Sequence, residues 1–140
     1  MSIIYSPKKG QILMCDFTSG FAVPEMVKER PVVVFKSSSR NKLVTVIPLS
    51  TKKPELVQAF HMLMPVRELP NTRMFKNVDN WLKGDMIYTV GWHRLKLIQL
   101  GRKNGKRTYF LNSLTLKTLT EVEKSVINGI GLGRLEKHLK

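Results

Sequence analysis

Arginine and hydroxyl side chains lie at the ends of two short apolar runs in this sequence. Arg30 directly precedes the run Pro31–Phe35, and Ser50 and Thr51 directly follow the run Leu43–Leu49. If the two runs pair as antiparallel strands, Arg30 lies beside both hydroxyls, because the start of one strand meets the end of the next. A guanidinium with neighbouring hydroxyl donors can hold a phosphate group. The pattern therefore predicts a phosphate-binding site.

Carboxylates near these positions allow a second interpretation. Glu25 and Glu29 lie in the segment before Arg30, and Lys83 and Asp85 open a later apolar run. A carboxylate in such a site can act as a general base. However, Glu25 or Glu29 can instead form a surface ion pair with Arg30, and the two hydroxyls then only begin a turn. The residue pattern leaves both interpretations open.

Motifs for other kinds of catalysis are missing from the sequence. The three histidines have no metal-binding spacing, and a single cysteine, Cys15, cannot build a zinc site. No Walker loop, dinucleotide-binding fingerprint or nucleophile-elbow turn is present. We therefore expect neither a metal nor another cofactor. The residues interpreted as surface or strand histidines are His61, His93 and His138.

The strongest compositional signal is charge. The chain has 24 Lys and Arg against 10 Asp and Glu, a formal net charge of +14. Such an excess either confers solubility alone or favours a polyanionic partner, and we expect nucleic acid and an acidic protein rather than a membrane. The single cysteine, the lack of a signal-peptide stretch between Met1 and Lys9, and the lack of a membrane-length apolar run predict a cytoplasmic protein.

Alternation and turn residues predict a mainly β chain of one domain, residues 1–140. The expected strands are Gly10–Phe17, Pro31–Phe35, Leu43–Leu49, Phe60–Met64 and Asp85–Val90, then a closing hairpin of Leu95–Leu100 with Tyr109–Leu111. This pattern of short strands indicates a small antiparallel barrel.

The last part of the chain changes to a helical period. Apolar residues recur at helical spacing from Leu116 to Ile130. Gly131 and Gly133 are expected to end this helix. Two pairs can form a capping box at its start. They are Thr118 with Glu121, and Thr120 with Glu123.

Four segments, in matching order and spacing, resemble the PemK/MazF family of toxins from toxin–antitoxin systems. They are Gly10–Phe17, Glu29–Val34, Val46–Thr51 and Lys83–Val90, and the resemblance runs from Pro7 to Leu132. It implies an SH3-like barrel that works as a homodimer and binds single-stranded RNA in a groove at the dimer interface.

The resemblance also implies a reaction and a regulator. Members of this family cleave RNA at short sequences without a metal: the 2′-OH attacks the adjacent phosphate and leaves a 2′,3′-cyclic phosphate. A small antitoxin, whose acidic tail occupies the RNA groove, holds the toxin inactive. The chain is thus expected to be a sequence-specific endoribonuclease.

Roles for individual residues follow from their match to the family pattern. Arg30 is expected to stabilise the phosphorane, and Ser50 and Thr51 to donate hydrogen bonds to it. Either Asp85 or Glu25 is expected to be the base that accepts the 2′-OH proton. The expected RNA-binding residues are Lys28, Lys52, Lys53 and Lys83.

The sequence departs from the family pattern directly before Arg30. There, Met26–Glu29 replaces a glycine-rich loop, and Glu29 can pair with Arg30 and weaken its attraction for phosphate. Two other functions stay open. One is a toxin similar to CcdB, which poisons a protein target through its C-terminal residues. The other is a non-catalytic nucleic-acid-binding module whose aromatic residues stack on bases. The candidates for stacking are Trp81, Trp92 and Tyr88.

Overall fold

The computed structural model describes residues 3–139; Met1, Ser2 and Lys140, at the ends of the predicted domain, lie outside the described residues. The described part is mainly β, with one α-helix near its C-terminal end. Its strands are β1 (Ile12–Asp16), β2 (Glu29–Ser38), β3 (Leu43–Ser50), β4 (His61–Leu63), β5 (Trp81–Lys83), β6 (Tyr88–Gly91), β7 (Leu95–Lys96), β8 (Gln99–Lys103) and β9 (Lys106–Tyr109). The helix, α1, spans Leu116–Gly129, and short 3₁₀ turns lie at Val66–Glu68, Trp92–Arg94 and Gly133–His138. The predicted fold class, mainly β with a C-terminal helix, is confirmed.

The strands form one large antiparallel sheet and one separate hairpin. The order in the large sheet is β4-β5-β3-β2-β1-β7, and β6 also pairs with β3, next to the β5 segment. Strands β8 and β9 pair only with each other among the described residues. Because this order is an open path, closure into an SH3-like barrel stays a prediction.

Only the last part of the segment predicted as one strand, Asp85–Val90, is a strand, because the segment begins in the turn that separates β5 from β6. Strand β5 ends at Lys83, and Met86 donates from its N–H to the Lys83 carbonyl at 3.0 Å. Strand β6 begins only at Tyr88. The turn at Gly84–Asp85 packs against α1, and this tertiary contact overrides the local apolar pattern.

The closing hairpin is formed by other residues than those predicted. Leu95–Lys96 pairs with β1, and the hairpin proper turns at Asn104–Gly105, between β8 and β9. Both turn residues have positive φ, 53° and 77°, as a tight two-residue hairpin turn requires. The Asn-Gly pair is the sequence signal for this turn, and it places the strands on residues that an apolar pattern alone does not select.

The N-cap of helix α1 lies three residues before the first predicted capping box and five residues before the second. Its N-cap is Thr115, whose hydroxyl accepts a hydrogen bond from the Thr118 N–H at 3.3 Å. Both predicted boxes are therefore wrong, because each would start the helix at a later residue. Leu116 is 80% exposed and does not belong to the apolar face. The predicted stop is confirmed, since Gly131, directly beyond the helix, has φ of +81°.

One face of the large sheet packs against α1, and we call it the helix-side face. Val33, Ile47 and Leu82 lie there in one buried cluster with Val122 and Val126 of the helix. Each such side chain contributes about 1.5–3 kcal/mol when fully buried. The helix therefore covers this face and leaves the opposite one to other segments.

The opposite, loop-side face is covered by the loop that follows β1. Val32 and Val46 lie on this face, because successive side chains of a strand alternate between faces. They pack with Phe17 and Tyr88, and partly buried Met26 joins the cluster from the loop. The loop-side face is therefore covered mainly by loop residues and by Tyr88 rather than by a helix.

Among residues 3–139, no helix is long and apolar enough to cross a membrane.

Candidate functional site

Arg30 lies on the loop-side face near the start of β2. It pairs in register with Cys15 of β1 and lies two positions before Val32, so it shares their face. Its Nε is buried and has no hydrogen-bond partner within residues 3–139. A half-buried guanidinium with an unsatisfied donor is expensive unless a ligand completes it. Arg30 is therefore placed to receive an anion.

The ion pairs that could neutralise Arg30 do not form in the described chain. Glu29 lies on the other face of β2 and pairs with Lys96, its carboxylate 2.6 Å from the Lys96 Nζ. Glu25 folds back in its own loop, where its carboxylate accepts the Ala22 N–H at 3.0 Å. The interpretation of Arg30 as a surface ion-pair partner is thus wrong for these two carboxylates.

Ser50 lies next to Arg30 across the β2–β3 ladder. Val32 pairs with Pro48, so the same register continued by two positions brings Arg30 opposite Ser50. The Ser50 side chain is only 7% exposed, and its Oγ accepts the Lys52 N–H at 3.2 Å. The hydroxyl therefore starts a turn, as the alternative interpretation held. Because it acts there only as an acceptor, its O–H can still donate to an anion bound beside Arg30.

Thr51 is less closely placed than the sequence suggested. It lies beyond the end of β3 and is exposed, whereas Ser50 still belongs to the strand. The structure therefore brings Ser50, rather than both hydroxyls equally, to the position beside Arg30.

Glu25 and Asp85, distant in sequence, both act on the hydroxyl of Tyr88. The pKa of Tyr88 is raised, mainly because the side chain is partly buried. The Met26 N–H donates to the Tyr88 Oη at 2.9 Å, which lowers the pKa, and the negative charges of Glu25 and Asp85 raise it. The two candidate bases thus share one neighbourhood. Tyr88 pairs with Val46 of β3, which places its ring on the loop-side face.

Lys83 and His61 are cross-strand partners at the end of β5. Trp81 pairs with Ser50, and Lys83 lies two positions further along, on the same face. The pKa of His61 is lowered, first by burial and then by the positive charge of Lys83, while Asp85 acts in the opposite direction. Lys83, Asp85 and His61 therefore form one group, and Lys83 lies two positions along β5 from Trp81, the cross-strand partner of Ser50.

The remaining predicted RNA-binding lysines lie in the loops that flank these strands. Lys28 comes just before β2, and Lys52 and Lys53 follow β3; all three are exposed. Their positions give the rim of the loop-side face an excess of positive charge.

Two residues of the candidate site, His61 and Tyr88, were not predicted from the sequence as site residues. His61 was interpreted as an ordinary strand or surface residue, and Tyr88 only as a stacking candidate. Their proximity to Asp85 depends on pairings of β4 with β5 and of β6 with β3, and no local pattern announces either. A signal for Tyr88 exists only in the alternation of its strand.

Two other chemistries have no support in the described residues. Burial raises the pKa of Cys15 to about 12, so it remains a thiol at neutral pH and is not an activated nucleophile. Within residues 3–139, no group of three or more His, Cys, Asp or Glu is arranged to hold a metal ion.

The chain is similar to two bacterial proteins along nearly its whole length. It is 27% identical to the uncharacterized protein YifN of Escherichia coli, over 93% of this chain and 95% of that protein. It is 29% identical to an uncharacterized protein of Haemophilus influenzae, over 94% of each chain.

Solved structures with the same fold are MazF proteins and related endoribonucleases. MazF (Form-I) from Deinococcus radiodurans has a TM-score of 0.64 and 17% identity, covering 91% of this chain and 99% of its own. An endoribonuclease in complex with its cognate antitoxin, from a mycobacterial species, has a TM-score of 0.57 and 19% identity, covering 90% and 96%.

Residues 8–128 match the family described as "PemK-like, MazF-like toxin of type II toxin-antitoxin system". This match confirms the resemblance found in the sequence, since it spans the four segments on which that resemblance rested. The chain therefore belongs to the PemK-like, MazF-like toxin family.

Proposed function

We propose that this protein is a metal-independent endoribonuclease toxin that cleaves single-stranded RNA at short sequences. The single observation that carries the proposal is Arg30, a half-buried arginine with an unsatisfied Nε beside the Ser50 hydroxyl. Membership in the toxin family and the endoribonucleases among the structures of the same fold support it. The guanidinium supplies the positive charge that stabilises the phosphate, so the reaction needs no metal.

The reaction begins when a carboxylate removes the proton of a ribose 2′-OH. Asp85 and Glu25 are both candidates for this base, because both lie near Tyr88. The 2′-oxygen then attacks the adjacent phosphorus, and the bond from phosphorus to the 5′-oxygen breaks. The departing 5′-oxygen takes up a proton from water, and the other fragment keeps a 2′,3′-cyclic phosphate.

Arg30 and Ser50 stabilise the charge that develops on the phosphorane. The guanidinium offers a planar set of donors that matches two phosphate oxygens, and its high pKa makes it a charge stabiliser rather than an acid. Ser50 adds a neutral donor, and Thr51 adds a second only from outside the strand. Such fixed donors are worth most in a partly desolvated site.

RNA binds across the rim of the loop-side face. Lys28, Lys52, Lys53 and Lys83 contact its phosphates, and half-buried Trp81 offers an aromatic surface for a base. We further propose that the chain is a single-domain cytoplasmic protein that acts as a homodimer. An antitoxin with an acidic segment neutralises it by covering the same basic rim; two structures of this fold are complexes with an antitoxin.

The test is cleavage of a mixed-sequence single-stranded RNA by purified protein in EDTA, with mapping of both product ends. We expect cuts at a recurring short sequence and 2′,3′-cyclic phosphate ends, and no cut where that nucleotide carries 2′-deoxyribose. Arg30→Ala should lower the rate about 10²–10³-fold, and Arg30→Lys should not restore it, because lysine lacks the planar fork.

The matched control is Arg40→Ala, which removes an exposed arginine from the turn after β2. It should cleave like the wild type, and circular dichroism should show that all three variants are folded. Wild-type protein that binds the RNA and leaves it intact contradicts the nuclease. That result favours the non-catalytic binding module, and loss of both binding and cleavage favours a toxin with a protein target.

A further inference from the structure

The β8–β9 hairpin concentrates positive charge in a way that the proposed site does not use. Arg102 pairs across the hairpin with Arg107, and Lys103 pairs with Lys106. All four side chains are exposed. Like charges directly opposite each other in a ladder destabilise it. Two successive cation–cation pairs at one tip therefore cost stability that a bound polyanion would restore.

No acidic side chain within the described residues relieves this repulsion. The chain has no Asp or Glu between Asp85 and Glu121, and none of the four cations forms an ion pair in residues 3–139. Glu29 lines the same cavity as Arg107 at the base of the hairpin, but its carboxylate is already bound by Lys96. The four charges are therefore available to an external partner.

The hairpin presents its charge on both of its faces. Neighbouring pairs along a ladder point to opposite sides, so the two arginines lie on one face and the two lysines on the other. The tight turn at Asn104–Gly105 holds the two strands in register. The hairpin is thus a narrow ribbon with basic side chains on both faces.

We propose that this hairpin is an arm that binds the phosphate backbone of single-stranded RNA outside the catalytic site. The inference rests on the proposed RNA substrate and adds a second contact surface to it. An acidic protein segment is the less favoured partner, because the charged tip, residues 101–108, has no large apolar side chain to anchor a protein interface, and Leu100, 40% exposed, lies at the other end of β8. A sequence-independent backbone contact needs only such charges.

The test compares two quadruple variants of the full-length chain that carry the same change in charge. The arm variant is Arg102→Gln, Lys103→Gln, Lys106→Gln and Arg107→Gln, which keeps the Asn-Gly turn. The matched control replaces two other arginines and two other lysines, all exposed, with glutamine: Arg40, Lys117, Arg134 and Lys137. Fluorescence anisotropy measures binding of a 2′-O-methyl single-stranded RNA over a range of KCl concentrations.

The arm variant should bind more weakly at low salt, and its plot of log affinity against log salt should be shallower by up to about 2.8, or 0.7 for each lost phosphate contact. The control should keep the wild-type slope. Removal of the opposed cations should leave the midpoint of thermal unfolding unchanged or higher.

Equal losses in the two variants overturn the arm, because overall charge then explains the effect. Unchanged RNA binding by the arm variant, together with weaker binding to polyglutamate, overturns it in favour of an acidic protein partner. The 2′-O-methyl RNA has no attacking hydroxyl, so binding is measured whether or not the wild type cleaves. Failure of cleavage alone removes the proposed nuclease and leaves the arm; a wild type that binds no RNA removes both.

Discussion

The hydrogen bond to His61 fixes which ring nitrogen carries its proton. Its Nδ1 accepts the Gln58 N–H at 3.0 Å, so the neutral ring holds its hydrogen on Nε2. In a protonated ring, the Nδ1–H would face the Gln58 N–H, and two donors cannot form a hydrogen bond with each other. The nearby Lys83 charge opposes protonation as well. His61 is therefore a neutral donor beside Asp85 and cannot easily serve as a base through Nε2.

The lowered pKa of His61 gives folding stability a specific dependence on pH. In the unfolded chain the ring has its ordinary pKa of about 6.5, and in the folded chain burial and Lys83 lower it. As pH falls below about 6.5, the unfolded chain binds the proton first, so the free energy of unfolding decreases until the folded pKa is passed. Above that window His61 contributes its full stability.

Urea unfolding at a series of pH values measures this contribution. In His61→Asn, whose side-chain oxygen can still accept the Gln58 N–H, the decrease in unfolding free energy between neutral and mildly acidic pH should be smaller than in the wild type. His138→Asn, at an exposed position in the last 3₁₀ turn, should retain the wild-type profile. Identical profiles for both variants would show that His61 titrates alike in the folded and unfolded chains.

The sequence could place Arg30 and Ser50 together because each flanks a short apolar strand, and adjacent antiparallel strands bring such positions to one edge. It could not place His61 beside Lys83, since β4 reaches β5 only after the long loop between them. Nor could it show that Glu29 pairs with Lys96 rather than Arg30, because that choice depends on which face of β2 each side chain occupies.

At the scale of elements, the turn after β5 is held in place by direct contact with α1. A Cβ added at Gly84 would lie 2.5 Å from the Ser125 carbonyl oxygen and 2.6 Å from that of Phe60. A Cβ at Gly129 would overlap the Gly84 carbonyl oxygen. These neighbours are backbone atoms, which cannot move aside cheaply. The two glycines therefore let the helix approach the turn that carries Lys83 and Asp85.

Replacement of Gly84 should separate the turn from the helix. We expect Gly84→Ala to lower the unfolding free energy by about 1–3 kcal/mol and to lower RNA cleavage as well, because Asp85 moves with the turn. Urea unfolding and the cleavage assay measure the two effects.

The control for this change is Gly133→Ala, where the added Cβ meets only the end of the Asn128 side chain, at 2.6 Å. Its unfolding free energy should stay within about 0.5 kcal/mol of the wild type. A Gly84→Ala protein that is as stable as this control would mean that the helix and the turn can separate without cost.

Most elements were predictable from local pattern, and those that were not depend on tertiary contact. The core strands β1, β2 and β3 follow from apolar runs bounded by turn residues. The break at Gly84 follows from packing against α1, which lies far along the chain. The helix start at Thr115 is a local signal that a Thr-x-x-Glu search overlooks, because the residue three after Thr115 is Thr118 rather than an acid.

For the whole molecule, positive charge greatly exceeds the acidic charge available to neutralise it. Of the 24 Lys and Arg, three form ion pairs with carboxylates within residues 3–139: Lys9, Lys96 and Lys124. Of the others, Lys28, Lys52, Lys53 and Lys83 lie around the rim of the loop-side face, and four more lie on the hairpin: Arg102, Lys103, Lys106 and Arg107. Composition alone could predict a polyanionic partner, but only the fold shows that two separate basic surfaces exist.

An acidic polypeptide should therefore compete with RNA for the rim of the loop-side face. We expect polyglutamate to inhibit RNA binding and cleavage at low salt. Raising salt from 50 to 200 mM should weaken RNA binding about 50-fold if four phosphates are contacted, and it should relieve the inhibition too, because both ligands bind through charge. Polylysine of equal length should not compete for the protein.

If the arm variant remains fully inhibited by polyglutamate, the acidic chain occupies the catalytic rim, as an antitoxin segment would. If the arm variant escapes inhibition while still cleaving short RNA, the acidic chain binds the hairpin, and neutralisation through the rim is contradicted.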